Sequence, residues 1–411
     1  MTNRRNKLRK ALGLKDIIFL AMGVILGAGI YAIIGEAAAL AGNMLWLAFI
    51  VAAVIAMLSA LSYAEFVSRF PDAGGSFEYI KRAFNTKIAI IFGIATILTG
   101  IIASAAIAIS FADYFSRLWQ IPNNLAITGI VVVLGFISII GIKHSSITNI
   151  IATIITILGL IFVIVLGIPK WGEAELLKMP ANGFMGIFAA GALTFFSYVG
   201  FEDVVKTSEE TKNPRITVSK GILLAGVFVT IIYVLVSISA IALASHKELA
   251  GSTSPLAYAV EGAVGRWGVT ALIIVALFAT SNSILTNILA TARLLFDIAR
   301  DTGIKWMTKL SIVNKKSRTP ILSTILIIIL VILFALIGNL KVVASISNFF
   351  IFSVFMAVNI SLIYWRYRNP NAEKSEFYLP LNIKNIPLTA ILATISLLVL
   401  MIFNILNIVK G

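Results

Sequence analysis

Charged positions in this chain punctuate long apolar runs and do not alternate with them. Eleven windows carry no Asp, Glu, Lys or Arg: 17–35, 37–64, 88–112, 118–142, 144–169, 179–201, 221–246, 267–292, 319–340, 342–365 and 385–409. Each can hold the ~20 residues that cross a bilayer as a helix. Windows such as 144–169 lack the ~10-residue inside/outside alternation of an outer-membrane strand. The pattern predicts an all-α membrane protein with about eleven transmembrane helices.

Two of these windows contain breaks rich in glycine and aromatic residues. The first is Gly23-Val24-Ile25-Leu26-Gly27-Ala28-Gly29-Ile30-Tyr31, and the second is Phe195-Phe196-Ser197-Tyr198-Val199-Gly200-Phe201-Glu202. A helix interrupted within hydrocarbon frees backbone groups that lipid cannot satisfy, so such a break persists only where protein, water or a ligand completes it. Paired breaks at corresponding places in two halves point to a transporter's binding site.

Composition agrees. Mean hydropathy is +1.00, with 59% hydrophobic and 12% charged residues, against roughly a quarter charged in a soluble domain. The net charge of +15 suggests nucleic acid until its placement is read. With a cytoplasmic N-terminus, alternate loops place 26 Lys and Arg inside and 7 outside, while Asp and Glu divide 12 to 6. That is the positive-inside asymmetry, so the basic charge sets topology and nucleic acid is not an expected partner. The expected location is the cell membrane, with the C-terminus outside after Lys410. The start, Arg4 to Lys15 followed by an apolar run and Ala37-Ala38-Ala39-Leu40-Ala41-Gly42, mimics a signal peptide. The first window is longer than the usual ~7–15-residue h-region, and cleavage would remove one of the two breaks. With no cysteine, disulfides, thiol chemistry and Cys-based metal sites are excluded.

One membrane domain is expected: a cytoplasmic segment 1–15, a five-helix repeat over 16–170, a second over 179–366, and an eleventh helix over 385–409. Each repeat opens with a broken helix. Five is odd, so the second set enters from the opposite side and the repeats are inverted in topology. The longest cytoplasmic insertions are 66–86 and 298–319. Outside, 245–266 has room for a short helix such as 254–264 over a vestibule.

At these residues the chain resembles the amino acid/polyamine/organocation transporter family over nearly its whole length. Beyond the break Gly27-Ala28-Gly29-Ile30-Tyr31, the resemblance rests on Tyr63-Ala64-Glu65, on Phe70-Pro71-Asp72-Ala73-Gly74-Gly75-Ser76-Phe77-Glu78-Tyr79, and on Arg82-Ala83-Phe84. Glu209-Glu210-Thr211-Lys212-Asn213-Pro214-Arg215, and Arg293 with Ala299-Arg300-Asp301, are similar to two further family motifs. The resemblance implies a leucine-transporter-like fold and secondary transport of an amino acid by alternating access. Most family members carry twelve spans where this chain ends after the eleventh, which bears on any dimer interface built from the last; the oligomeric state stays open. The lysine that proton-coupled and exchanger branches carry on the fifth span falls at Thr156 when Asn149 and Gly167 are aligned with that motif.

The break at Gly27, Ala28 and Gly29, with Ile25 beside it, can present backbone N–H groups and a helix dipole to a substrate carboxylate. Gly23 and Gly27 also fit small-residue helix packing. By the family likeness, the carbonyls of Phe196, Ser197 and Val199 receive the ammonium and Phe196 closes over the substrate, with Tyr198 or Phe201 lining the path. Ordinary aromatic packing is the competing reading, above all for Phe195. Windows 17–35, 88–112, 179–201 and 267–292, expected to line the site, contain no fixed charge. A neutral amino acid therefore fits better than a cationic amino acid or polyamine. Thr99, Ile102 and Ser104 are candidates for setting substrate size.

No cofactor is expected beyond a coupling ion, sodium or proton. The leucine-transporter likeness places sodium between the carbonyls of Gly23 and Leu26 and the hydroxyl of Ser283, with Thr280 and Thr156 as further oxygens; alternatively these hydroxyls bond their own helices. Glu202 is the proton candidate, unless it is a solvated carboxylate paired with Lys206. Uniport and exchange stay open. His144 and His246 are expected in solvated loops, and Arg300 with Asp301, like Glu209-Glu210 with Lys212, in cytoplasmic networks. A carrier or exchanger of polyamines or cationic amino acids is the main alternative. An amino-acid-sensing receptor on the same fold, like spore-germinant receptor subunits, is another; no motif points to an enzyme.

Overall fold

The computed structural model describes residues 10–71, 74–140, 146–302, 307–314 and 319–410. Residues 1–9 of the expected cytoplasmic segment, Asp72, Ala73 and His144 lie outside them, as do the side chains of Asn149 and Asp301.

Fifteen α-helices are described: α1 (Leu14–Ile25), α2 (Gly29–Ala41), α3 (Leu45–Arg69), α4 (Gly75–Ala83), α5 (Thr86–Ser116), α6 (Asn123–Ile140), α7 (Ser146–Gly167), α8 (Gly183–Thr194), α9 (Phe201–Val204), α10 (Pro214–Leu243), α11 (His246–Gly251), α12 (Pro255–Thr302), α13 (Ile321–Ala335), α14 (Leu340–Arg368) and α15 (Leu388–Lys410). A two-residue antiparallel pairing of β1 (Asn382–Ile383) with β2 (Ile386–Pro387) is the one departure from helix among named elements of the described residues.

All eleven uncharged windows fall on helices. Nine helical stretches among the described residues are long and apolar enough to cross a membrane. One of these, Gly29–Arg69, has 41 residues, about 60 Å of helix at 1.5 Å per residue, and is divided at Gly42–Met44 into α2 and α3. Two apolar helices fall short alone: α1 with 12 residues and α13 with 15.

The exterior is apolar, as hydrocarbon demands. Leu125 and Phe136 on α6, Leu158 on α7, Leu333 on α13 and Ile395 on α15 all point outward. The sixth window lies inside: in its most apolar 18 residues the stretch Gly183–Glu210 is 72% buried, against 28% for Asn123–Ile140. That contrast makes the sixth window the centre of the bundle.

Loop chemistry orients the pieces. Asn85 caps α5 by accepting from Ile88 N–H at 3.0 Å. Ser245 and Glu248 form a capping box on α11, and the Ser245 hydroxyl and N–H hold the Glu248 carboxyl below its ordinary range. α12 starts at Pro255 and kinks at Gly265, so the short outer helix expected at 254–264 is its first segment. At the end of α3, Glu65 is fully buried and pairs with Arg366 and Arg69, while Leu379 N–H donates to it at 3.0 Å. This ties α3 to α14 and to the chain leading into α15. The backbone of Leu12 bridges to Thr211, fastening the N-terminal segment to the motif after the sixth window.

Candidate functional site at the two helix breaks

α1 stops at Ile25 and α2 starts at Gly29, leaving three residues outside helix. Ala28 N–H donates to the Ser283 hydroxyl on α12 at 3.0 Å, and Gly27 lies directly against that side chain. A Cβ on Gly29 would sit 2.7 Å from Ser197 Cα, so glycine is what allows the two breaks to touch. A third helix joins them: the Tyr233 hydroxyl on α10 lies 2.8 Å from the Ile25 carbonyl and 3.0 Å from the Ser197 carbonyl.

In the second break α8 gives way to a 3-10 turn over Phe195–Tyr198, then Val199 is extended and Gly200 takes φ 130°. A side chain at Gly200 would be strained and would meet Val24 at 2.7 Å. The chain continues as the short α9 and a second 3-10 turn, Val205–Glu210.

Between the breaks lies a cavity of about 100 Å³, below the 300–1,000 Å³ of drug-sized sites and suited to a small ligand. The first break contributes Gly23, Val24, Ile25, Gly27, Ala28 and Gly29, and the second Phe196, Val199 and Gly200. Thr96, Thr99 and Gly100 of α5, Ser283, Asn282, Thr286, Asn287 and Thr291 of α12, and Ser347 and Ile351 of α14 add to the wall, with apolar side chains of α5 and α12 between them. Glu202, Asp203 and Lys206 stand at one end.

The structure brings together Gly23, Ile25, Gly27, Ala28, Gly29, Phe196, Val199, Glu202 and Ser283 from the sequence expectation, with Thr99. It leaves out Leu26, Ser197, Tyr198, Phe201, Thr156, Thr280, Ile102 and Ser104. Tyr198 donates to the Phe49 carbonyl at 3.1 Å, and Phe201 packs edge-on to Tyr63 at 5.5 Å. Neither lines the cavity. In a 3-10 turn successive residues are about 120° apart, so Phe196 facing the cavity turns Tyr198 toward α3. Phe195 packs on Phe352 at 4.8 Å. The Ser197 carbonyl is engaged by Tyr233, and its buried hydroxyl has no partner among the described residues.

The hydroxyls named for sodium each carry a hydrogen bond. Thr156 donates to the Ala152 carbonyl at 2.9 Å and Thr280 to the Ala276 carbonyl at 2.7 Å. Ser283 is engaged by Ala28 N–H, and the α7 side chain against Gly23 is Thr153 rather than Thr156. Glu202 is not the solvated partner of Lys206. Its carboxylate accepts from Gly200 N–H at 2.8 Å, while Lys206 pairs with Asp203 at 2.5 Å. His246 is part-buried against Asn43 at 2.8 Å, and Arg300 pairs with Asp297 at 3.2 Å.

Sequence reading missed Asn282, Thr286, Asn287 and Ser347. The α12 residues form a polar stripe at three- and four-residue spacing within an apolar span, a readable signal. Ser347 lay in a window not expected to line the site.

Residues 12–411 match the family whose members are described as amino acid permeases. The chain belongs to the amino acid permease family. This permease lies within the amino acid/polyamine/organocation superfamily and is a multi-pass membrane protein, a transporter and not an enzyme. It is 29% identical to the branched-chain amino acid permease of Bacillus subtilis, over 91% of this chain and 84% of that one. It is 28% identical to cationic amino acid transporter 1 of Arabidopsis thaliana, over 88% of this chain and 64% of that one. With the vacuolar cationic amino acid transporter 4 of the same plant the identity is 30%, over 89% and 65%. The permease thus spans just under two thirds of the plant transporters' length.

Proposed function

We propose that this permease moves a neutral amino acid across the cytoplasmic membrane by alternating access. The carrying observation is the disposition of charge: the cavity wall at the two breaks is backbone, hydroxyl, amide and apolar side chain, and charges occur only at the end near Glu202. The first-turn N–H groups of α2 suit a carboxylate. The Glu202 carboxylate at that end already accepts from Gly200 N–H, and Asp203 beside it pairs with Lys206.

Two inverted five-span repeats with a cytoplasmic N-terminus are the architecture we attach to this reading, because the broken spans meet at the cavity and basic residues concentrate on the side so assigned. Coupling by protons through Glu202 is favoured over sodium. Glu202 lines the cavity, whereas Thr156 and Thr280 do not and bond their own helices, and the Ser283 hydroxyl in the wall is held by Ala28 N–H.

The second reading, a cationic amino acid carrier, is supported by the likeness to the Arabidopsis transporters. Purified protein in proteoliposomes distinguishes the two: saturable uptake of tritiated neutral L-amino acids, not competed by L-arginine, is expected. Uptake of L-arginine with no neutral uptake overturns the neutral assignment.

A further inference from the structure

The outer half of the sixth span ends in a buried polar clamp. Asn348 on α14 is fully buried, and its Nδ2 donates to the carbonyls of Ala192 at 2.8 Å and Leu193 at 3.3 Å. These carbonyls belong to the last turn of α8, where α-helical winding changes to the 3-10 turn that carries Phe196. Behind Asn348 stand two more buried asparagines, both on α15. Asn407 donates to the Ala189 carbonyl at 2.9 Å, one turn back on the same face of α8. Asn404 donates to the Ser345 carbonyl at 2.7 Å, one turn from Asn348 on α14. The chain neighbour of Asn348 faces the cavity: Ser347 lines it and donates to the carbonyl of Thr99, another lining residue, at 3.3 Å.

Packing alone does not require asparagine here. Asn348 Oδ1 has no partner among the described residues, nor have Asn404 Oδ1 and Ser345 Oγ. A buried polar atom without a partner is costly, and leucine has the same branched outline without that cost. What asparagine supplies is a pair of donors that hold two adjacent carbonyls where the helix changes winding.

We propose that Asn348 is a positioning residue for the substrate site. By fixing the Ala192 and Leu193 carbonyls it sets where the 3-10 turn begins and so directs Phe196 into the cavity, with Asn404 and Asn407 bracing α14 and α8. The proposal rests on the reading of that cavity as the amino acid site. It also gives α15, outside the two repeats, a part in shaping that site.

The test is uptake of a mixture of tritiated neutral L-amino acids into proteoliposomes, with thermal melting of each variant. Asn348→Leu keeps the branched outline and removes the donors. It should raise KM about tenfold with little change in kcat and in melting temperature, the signature of weakened substrate binding without lost fold. Phe352→Leu, a packing change on the same helix, should lower the melting temperature and leave KM unchanged. An unchanged KM in Asn348→Leu, or an equal rise in Phe352→Leu, overturns the proposal. Should Asn348→Leu not fold, Asn348→Ser retains one donor and should give an intermediate KM; a wild-type KM there is equally fatal. Phe196→Ala separates the two levels. If it too leaves KM unchanged, the cavity reading fails; if it raises KM and Asn348→Leu does not, only the positioning role fails.

Discussion

The hydroxyl of Tyr233 lies 2.8 Å from the carbonyl oxygen of Ile25, the last residue of α1, and the same hydroxyl is 3.0 Å from the Ser197 carbonyl in the second break. One phenol from α10 therefore serves acceptors freed on both broken spans. It has one proton to give, so it can favour either carbonyl as the two breaks shift. Its ring is fixed against Phe49 and Tyr198, with centroids 5.5 and 5.2 Å away.

Tyr233→Phe keeps that ring and removes the shared donor. Leaving buried carbonyls without it should cost about 1–3 kcal/mol, read as a lower melting temperature in detergent. Uptake should fall more steeply than stability, because the lost bond lies at the junction of the two breaks. A variant with wild-type melting and uptake would show that Tyr233 only fills space.

The closeness of Gly29 to Ser197 makes even a methyl group too large. Gly29→Ala places Cβ against the Ser197 backbone, and Gly29→Val more so; both should abolish uptake. Gly129→Ala, on the open face of α6 where a Cβ meets nothing within 4 Å, should transport normally and serves as the matched control. Normal uptake by well-expressed Gly29→Ala would refute the close approach of the breaks.

Phe195 and Phe196 are adjacent yet should fail differently. Phe195 is fully buried against Phe352 and Phe355, so Phe195→Ala should cost about 3–5 kcal/mol of stability with KM preserved in the protein that survives. Phe196 lines the cavity, and Phe196→Ala should raise KM with a smaller loss of stability. Parallel behaviour of the two variants in melting and in uptake kinetics would return both to packing.

Coupling is tested with three conditions: a sodium gradient, a pH gradient and neither. Accumulation above equilibrium is expected with the pH gradient alone. Glu202→Gln should abolish that accumulation while leaving exchange against preloaded unlabelled amino acid intact. Ser283→Ala should weaken transport without changing any sodium dependence, since its hydroxyl accepts from Ala28 N–H. Accumulation driven by sodium alone, and lost in Ser283→Ala, would sink the proton assignment.

The sequence by itself determined the membrane class, the helix positions and the two breaks. Long uncharged windows and glycine clusters are local features, and in hydrocarbon a backbone that cannot reach water leaves few alternatives to helix. The closeness of Gly23 to Gly29, and of Phe196 to Glu202, within single short segments made much of the candidate cavity legible. Tertiary structure decided which way each side chain turns and what it engages. Tyr198 leaves the cavity because a 3-10 turn directs it to α3, and Phe201, past the Gly200 bend, joins an aromatic cluster. Thr153, not Thr156, lies against Gly23, because the rotation of α7 about its axis is set by its packing against α1, α10 and α12 together. Tyr233 and Asn348 reach the two breaks from spans whose contacts lie far along the chain. Their roles depend on the meeting of helices that no local pattern encodes.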